Sequence, residues 1–212
     1  VTDIDNQVRD LAVPIFVERI KASYKSGKHV SLLSLVDLLR SANDALAGRF
    51  GPARVGTLGL KLNPYTMLRI NSEDLSMVIY SEKFEFSATH KLWNDKFSEG
   101  DNYRTFGKCA SPSGHGHNYL IEISFKTKAG QALDVVDFER VVDEKLISVL
   151  DHKNLNVDVP HFSQVIPTME NIAEFAWDCL LSDFDRIQLY CITVWESDRT
   201  SCSYFGPAKN KE

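Results

Sequence analysis

Phe106–Tyr119 reads FGKCASPSGHGHNY, and the alternation that begins at its end decides how the chain folds. In an extended segment successive side chains point to opposite faces, so His115 and His117 share one face. Tyr119, Ile121, Ile123 and Phe125 continue that face, which makes about 116–127 a half-buried strand headed by two imidazoles. Two imidazoles on one strand face are most of a catalytic zinc site, which has three protein ligands and one open position. Cys109 lies six residues upstream of His115, near enough to act on what the metal holds. A lone His-x-His is more often a polar turn with surface histidines, so the rest of the chain must carry the case.

A third ligand is available. Phe84-Glu85-Phe86-Ser87-Ala88-Thr89-His90 alternates apolar and polar residues, and His90 shares the parity of Phe84, Phe86 and Ala88. It therefore ends the buried face of a strand over about 76–88. Residues 91–113 carry Asn, Asp, Gly, Ser and Pro and read as a long loop, a feature of functional segments in compact domains. Two antiparallel strands joined by that loop bring His90 near His115 and His117. Three histidines without another ligand type nearby suit zinc.

The whole chain of 212 residues is long enough for one large or two small domains with a sound core. Its net charge of −5 gives no basic face for nucleic acid. No stretch approaches the roughly 20 apolar residues of a membrane span. The opening VTDIDNQVRD lacks the basic-then-apolar order of a signal peptide, and a chain opening on Val1 is expected to lack at least an initiator Met. Cys109, Cys179, Cys191 and Cys202 match neither a zinc ribbon nor a disulfide framework, so a reducing cytoplasm is expected, with Cys179 and Cys191 as core thiols.

Apolar positions at Val1, Ile4, Val8, Leu11, Ala12 and Ile15 form a helical stripe despite Pro14. Residues 17–33 read as irregular, with a turn at Tyr24–Lys28. Ser34 reads as the N-cap of a helix bearing Leu35, Leu38, Leu39, Ala42 and Leu46. Val55–Leu62 and Thr66–Ile70 read as a hairpin around Asn63-Pro64. Polar Asn71–Leu75 is the expected boundary between 1–75 and 76–212. Beyond the two strands, Phe138, Val142, Leu146 and Val149 mark one helix. Thr168 caps a second carrying Met169, Ile172, Ala173, Ala176 and Leu180, and Ile187–Trp195 and Cys202–Phe205 are closing strands. The tail PAKNKE is polar and expected to fray.

The two parts are related. A shift of 134 positions pairs Val1 with Val135, Asp3 with Asp137, Val8 with Val142 and Ala42 with Ala176. It also pairs Asp44 with Asp178, Leu46 with Leu180 and Phe50 with Phe184. Average composition gives roughly three such identities by chance. The shift also superposes Ser34 on Thr168. No His-x-His precedes residue 76. Residues 1–75 thus read as a degenerate half-repeat, or as a helical and hairpin extension.

The motifs FSATH, FGKCASPSGHGHNY, LDHKNLNVDVPHF, PTMENIAEFAW and TVWESD resemble, in order and spacing, the 6-pyruvoyl-tetrahydropterin synthase family over roughly 76–206. That resemblance implies an α+β tunnelling fold: a ββααββ unit, an antiparallel sheet with two helices on one face, here preceded by an ααββ half-unit. It implies zinc held by His90, His115 and His117, and proton transfer by Cys109, Asp151 and His152. It also implies pterin contacts from Glu196, Thr168 and Glu170. The implied reaction converts 7,8-dihydroneopterin triphosphate to 6-pyruvoyl-tetrahydropterin with loss of triphosphate, for which Arg104, Lys108 and Lys153 are candidate partners. The implied assembly is a homo-oligomer of trimeric rings stacked as a hexamer, and residues 1–75, which add a helix pair and a hairpin, are expected to change how the chains close that ring. Read from residues alone, Asp151-His152 also suits a helix end, and Thr168 and Glu170 a cap and first-turn acid. The related 6-carboxytetrahydropterin synthase activity and a zinc- or pterin-binding module without turnover remain alternatives.

Overall fold

The computed structural model describes residues 2–131, 135–184 and 187–208. Val1 of the helical stripe and the last four residues of the tail lie outside them. The chain divides into two compact units, Val1–Ser81 with Lys126–Leu133 and Glu82–Phe125 with Asp134–Glu212.

In the first unit, α1 (Thr2–Gln7) runs through one wide π-type turn at Val8–Ala12 into α2 (Val13–Ser26). The helix thus extends ten residues past the expected end, through the segment read as irregular. Pro14 has no N–H to give and would crowd the carbonyl four residues back. The wide turn places it at the opening positions of α2, where that bond is not required. Gly27 ends the helix with φ 65°, its N–H reaching Ser23 O and Tyr24 O. α3 (Leu32–Leu46) is capped by Ser31, not Ser34: the Ser34 amide donates to Ser31 Oγ at 3.2 Å. Ala12, Ala42 and Leu46 form a small core with Val8, Leu11, Ile15 and Phe16 packed against it.

β1 (Thr57–Lys61) and β2 (Thr66–Asn71) pair antiparallel, with Leu60 opposite Leu68. Asn63 Oδ1 accepts the amides of Tyr65 and Thr66 at 2.7 and 2.8 Å, an Asx turn that starts the reversal before Pro64. The polar Asn71–Leu75 stretch makes a tight turn into β3 (Asp74–His90), closed by the Glu73 amide on Asn71 Oδ1 at 2.9 Å.

In the second unit the expected loop 91–113 contains α4 (Glu99–Phe106) and a 3-10 turn at Gly107–Ala110. Ser98 Oγ accepts the Asp101 amide and caps α4. Gly100 in the first turn masks this helix in the sequence, since glycine is a poor helix former. β4 (His115–Lys128) follows, then α5 (Val135–Val142), a second π-type turn at Asp143–Ile147 and α6 (Ser148–Leu150). β5 (Lys153–Asn154), α7 (Leu155–Asp158), α8 (Met169–Leu180), β6 (Gln188–Ser197) and β7 (Thr200–Tyr204) complete it. The strands are ordered β3-β4-β6-β7, with β5 running parallel to the end of β3.

The alternation read in β4 is realised: Tyr119, Ile121, Ile123 and Phe125 are fully buried. Phe138, Leu146 and Leu150 after β4 and Ile172, Ala176 and Leu180 of α8 are buried with them. Phe125 packs edge-on to Phe138 at 5.0 Å between ring centres and to Phe184 at 4.8 Å. Each fully buried aromatic or leucine of this set contributes about 1.5–3 kcal/mol. The α+β expectation is met, with helices against a largely antiparallel sheet.

Candidate metal centre and active site

His90 is the last residue of β3 and His115 and His117 are among the first of β4. Because β3 and β4 are neighbours, the inward ends of the two strands meet. The three imidazoles stand nearly edge to face, with ring centres 4.9, 5.1 and 4.5 Å apart. Glu196, near the end of β6, joins them, and one ligand atom from each of the four residues lies within 4.8 Å of every other.

Two glycines make this approach possible. Gly114 has φ 64°, and a Cβ there would lie 2.8 Å from the His90 carbonyl oxygen. A Cβ on Gly116 would lie 3.3 Å from Thr89 Cγ2. The glycines around His115 therefore let the start of β4 close onto the end of β3.

The cluster is chemically unfinished by itself. His90 Nε2, His115 Nδ1, His117 Nε2 and Glu196 Oε1 are buried without a hydrogen-bond partner. Glu196 Oε1 lies 2.7 Å from His117 Nε2 and 3.3 Å from His90 Nε2, but these approaches lack hydrogen-bond geometry. Buried polar atoms are ordinarily satisfied, so four orphans facing one point call for a cation. Burial holds both His90 and His117 below the ordinary imidazole value, which keeps them neutral, with lone pairs free to coordinate. On the far side, His90 Nδ1 lies 3.0 Å from Pro167 O and 3.2 Å from Tyr119 Oη. A ring N–H donated to a carbonyl leaves the opposite nitrogen as the acceptor. The donor set fits a zinc-type ion.

Cys109 rides on the 3-10 turn, its carbonyl accepting the Leu92 amide at 2.8 Å. Its Sγ lies 3.5 Å from His115 Nε2, beside the cluster rather than within it. Burial, and next the Glu196 carboxylate, push the Cys109 thiol up.

Asp151 and His152 sit elsewhere in the same unit. Asp151 Oδ1 accepts the Ser87 amide at 2.8 Å, and Asp151 Oδ2 lies 2.7 Å from His152 Nδ1. The Ser87 amide is the main cause holding the Asp151 carboxyl below the usual range. His152 is the one non-glycine residue with positive φ among the described residues, at 56°, and its side chain is 83% exposed. With Lys153 and Asn154 it lines an open cleft of about 440 Å³ that also reaches His117 and Asn118.

Thr168 caps α8 through the Asn171 amide, and Glu170 lies in the first turn. Their backbone neighbour Pro167 holds His90, so the cap also places a partner of the cluster. The sequence reading missed the meeting of Glu196 with the histidines. Its signal was the parity of Ile192, Val194 and Glu196 on β6, the first two fully buried. Tyr119 and Pro167 as partners of His90 carried no sequence signal.

Comparison with known proteins matches residues 79–207 to a family described as 6-pyruvoyl tetrahydropterin synthase. The Homo sapiens 6-pyruvoyl tetrahydrobiopterin synthase is 36% identical over 130 residues, 59% of this chain and 90% of that protein. Its Dictyostelium discoideum counterpart is 35% identical over 136 residues, 61% of this chain and 96% of that protein. The structure of Caenorhabditis elegans 6-pyruvoyl tetrahydropterin synthase superposes with a TM-score of 0.58 at 30% identity. It covers 62% of this chain and 96% of that one.

Proposed function

This chain belongs to the 6-pyruvoyl tetrahydropterin synthase family, and from that premise we propose that it is a lyase of tetrahydrobiopterin biosynthesis. It converts 7,8-dihydroneopterin triphosphate to 6-pyruvoyl-tetrahydropterin and triphosphate. The observation that carries this reading is the convergence of four partnerless ligand atoms beside the Cys109 thiol.

His90, His115 and His117 would hold zinc. Zinc bound there supplies a Lewis acid for the hydroxyl oxygens of the substrate side chain. The residues do the rest. Cys109 takes the proton from a side-chain carbon bearing a hydroxyl, a step for which the thiol must be lowered from its buried value. Asp151 accepts the Nδ1–H of His152 and leaves Nε2 to relay protons, since the partner of one ring nitrogen sets the role of the other. Glu196 accepts N–H groups of the pterin's amino-pyrimidine edge, which two carboxylate oxygens can do together. Thr168 and Glu170 contribute further pterin contacts at the start of α8. Among the candidate cations for the triphosphate, Lys153 lines the cleft with His117 and His152, whereas Arg104 is paired with Asp101.

Residues 1–75 act as a degenerate half-repeat in this reading. Three correspondences under the 134-residue shift support it. The helix α8 falls within α3, β7 falls within β2, and the π-type turn at Asp143–Ile147 falls one residue from that at Val8–Ala12. The caps do not coincide, since Ser31 rather than Ser34 holds that place. The exposed His152 favours a homo-oligomer, in which catalytic side chains near the surface gain a partner surface. The four free cysteines favour a reducing cytoplasm. No helix among the described residues is long and apolar enough to cross a membrane.

Incubation with 7,8-dihydroneopterin triphosphate, with and without sepiapterin reductase, tests the reading by product mass. A 6-pyruvoyl product supports it. A 6-carboxy product would transfer the chain to the related activity, and an unchanged substrate with bound metal would leave a binding module.

A further inference from the structure

We propose that Asn156 is a positioning residue, its side-chain amide setting the distance between His90 and the Asp151-His152 pair. The inference rests on the proton-handling role proposed above for that pair.

Residues 151–156 run alongside Ser87–Lys91 as a ladder whose two ends are made by side chains. At the first end the Ser87 amide donates to Asp151 Oδ1 at 2.8 Å, and the His152 amide to Ser87 O at 2.6 Å. In the middle only Lys153 and Asn154 make true strand pairs, with Ala88 and Thr89. At Leu155 the chain turns into α7 and its backbone leaves the ladder. Asn156 then supplies the last rung. Its Oδ1 accepts the Lys91 amide at 2.7 Å and its Nδ2 donates to Lys91 O at 2.9 Å. One side chain thus satisfies both peptide groups of the residue that follows His90, as a neighbouring strand would.

The placement couples three segments. Lys91 is tied to Asn156, and the next residue, Leu92, donates to Cys109 O at 2.8 Å. The two residues after His90 therefore hold the Cys109 turn on one side and the Asp151–Asn156 segment on the other. Asn156 is itself fixed: its amide donates to Asn154 Oδ1 at 3.1 Å, and its neighbours Leu155 and Val159 are anchored in the core. A two-residue strand pair is too short to hold register alone. Removing the rung leaves the Lys91 peptide groups unsatisfied and lets the segment slide relative to His90.

A displacement of about 1 Å in a reacting group costs on the order of 100-fold in rate. We expect Asn156→Ala to lower kcat about 10- to 100-fold, with KM within about twofold and the metal content unchanged. A double-mutant cycle with His152→Ala separates positioning from bulk stability. If Asn156 acts through His152, adding Asn156→Ala to His152→Ala changes kcat by less than about twofold. Losses that multiply in the double variant, a raised KM with kcat intact, or metal loss on Asn156→Ala would each overturn the proposal. Should Asn156→Ala fail to fold, the same cycle with Asn156→Asp decides, because it keeps the acceptor and loses the donor to Lys91 O. A fully active His152→Ala would instead remove the functional reading, and this inference with it. A slow His152→Ala with independent effects removes the inference alone.

Discussion

Pro167 O lies 3.0 Å from His90 Nδ1, so the cap of α8 holds the tautomer in which His90 Nε2 faces the other histidines and Glu196. That arrangement predicts one metal ion per chain. His115→Ala should lose most of the metal and the activity while the fold survives, and metal analysis beside circular dichroism checks both. Cys109→Ala should keep the metal and lose turnover, because its sulfur lies beside His115 rather than within the cluster. Stripping metal present at about 100-fold over its dissociation constant removes about 2.7 kcal/mol. For a chain of this size that is a fall in Tm of about 5–10 °C.

Glu196 faces both the histidines and the substrate role proposed for it, and Glu196→Gln separates the two. An amide keeps one acceptor oxygen and replaces the other by a donor, so pterin affinity should fall about tenfold or more, the scale of one charge-assisted bond. Metal content should stay near that of the unaltered protein. Calorimetric titration with biopterin and metal analysis measure the two effects. Metal loss with unchanged pterin affinity would make Glu196 a ligand and place the anchor elsewhere.

Gly114→Ala tests how tightly the two strand ends are held. The left-handed backbone at Gly114 costs an alanine about 1–2 kcal/mol, and the added Cβ would meet the His90 carbonyl oxygen at 2.8 Å. The combined cost should lower Tm by several degrees and weaken metal binding, since relief of the clash moves either His90 or His115. Equal Tm and equal metal affinity would show that the approach of β4 to β3 is not constrained here.

Asp151 links pH to stability. Its folded carboxyl lies below the usual value, chiefly through the Ser87 amide. A depressed carboxyl contributes stability that is present above its unfolded pKa of about 3.9 and lost as pH falls through the lower folded value. Asp151→Asn should therefore be less stable than the unaltered protein at pH 7. The gap should narrow steadily below about pH 4. Urea unfolding at a series of pH values measures it, and a gap independent of pH would mean the carboxylate charge contributes nothing.

The sequence by itself determined what repeats locally. Side chains of one strand face recur every second residue, so the buried run from Tyr119 to Phe125 and the common face of His115 and His117 were legible without a structure. The parity of His90 with Phe84, Phe86 and Ala88 was legible for the same reason, as was Thr168 as a cap. Local rules misled where a compensating feature sat nearby. Residues 17–26 read as irregular until a wide turn at Val8–Ala12 carries the helix past Pro14, and Gly100 hides a helix that Ser98 caps. Only the tertiary structure decided which distant groups meet. Pairing strands that are far apart in the chain puts Glu196 against His117, Pro167 behind His90 and Asn156 on the Lys91 peptide. Each of these contacts joins residues more than sixty positions apart, and no periodicity in a chain encodes a distance of that kind. It follows from the packing of the core beneath them, where Ile121, Leu155, Ile172 and Val194 are all fully buried and leave the strand ends and turns one place to go.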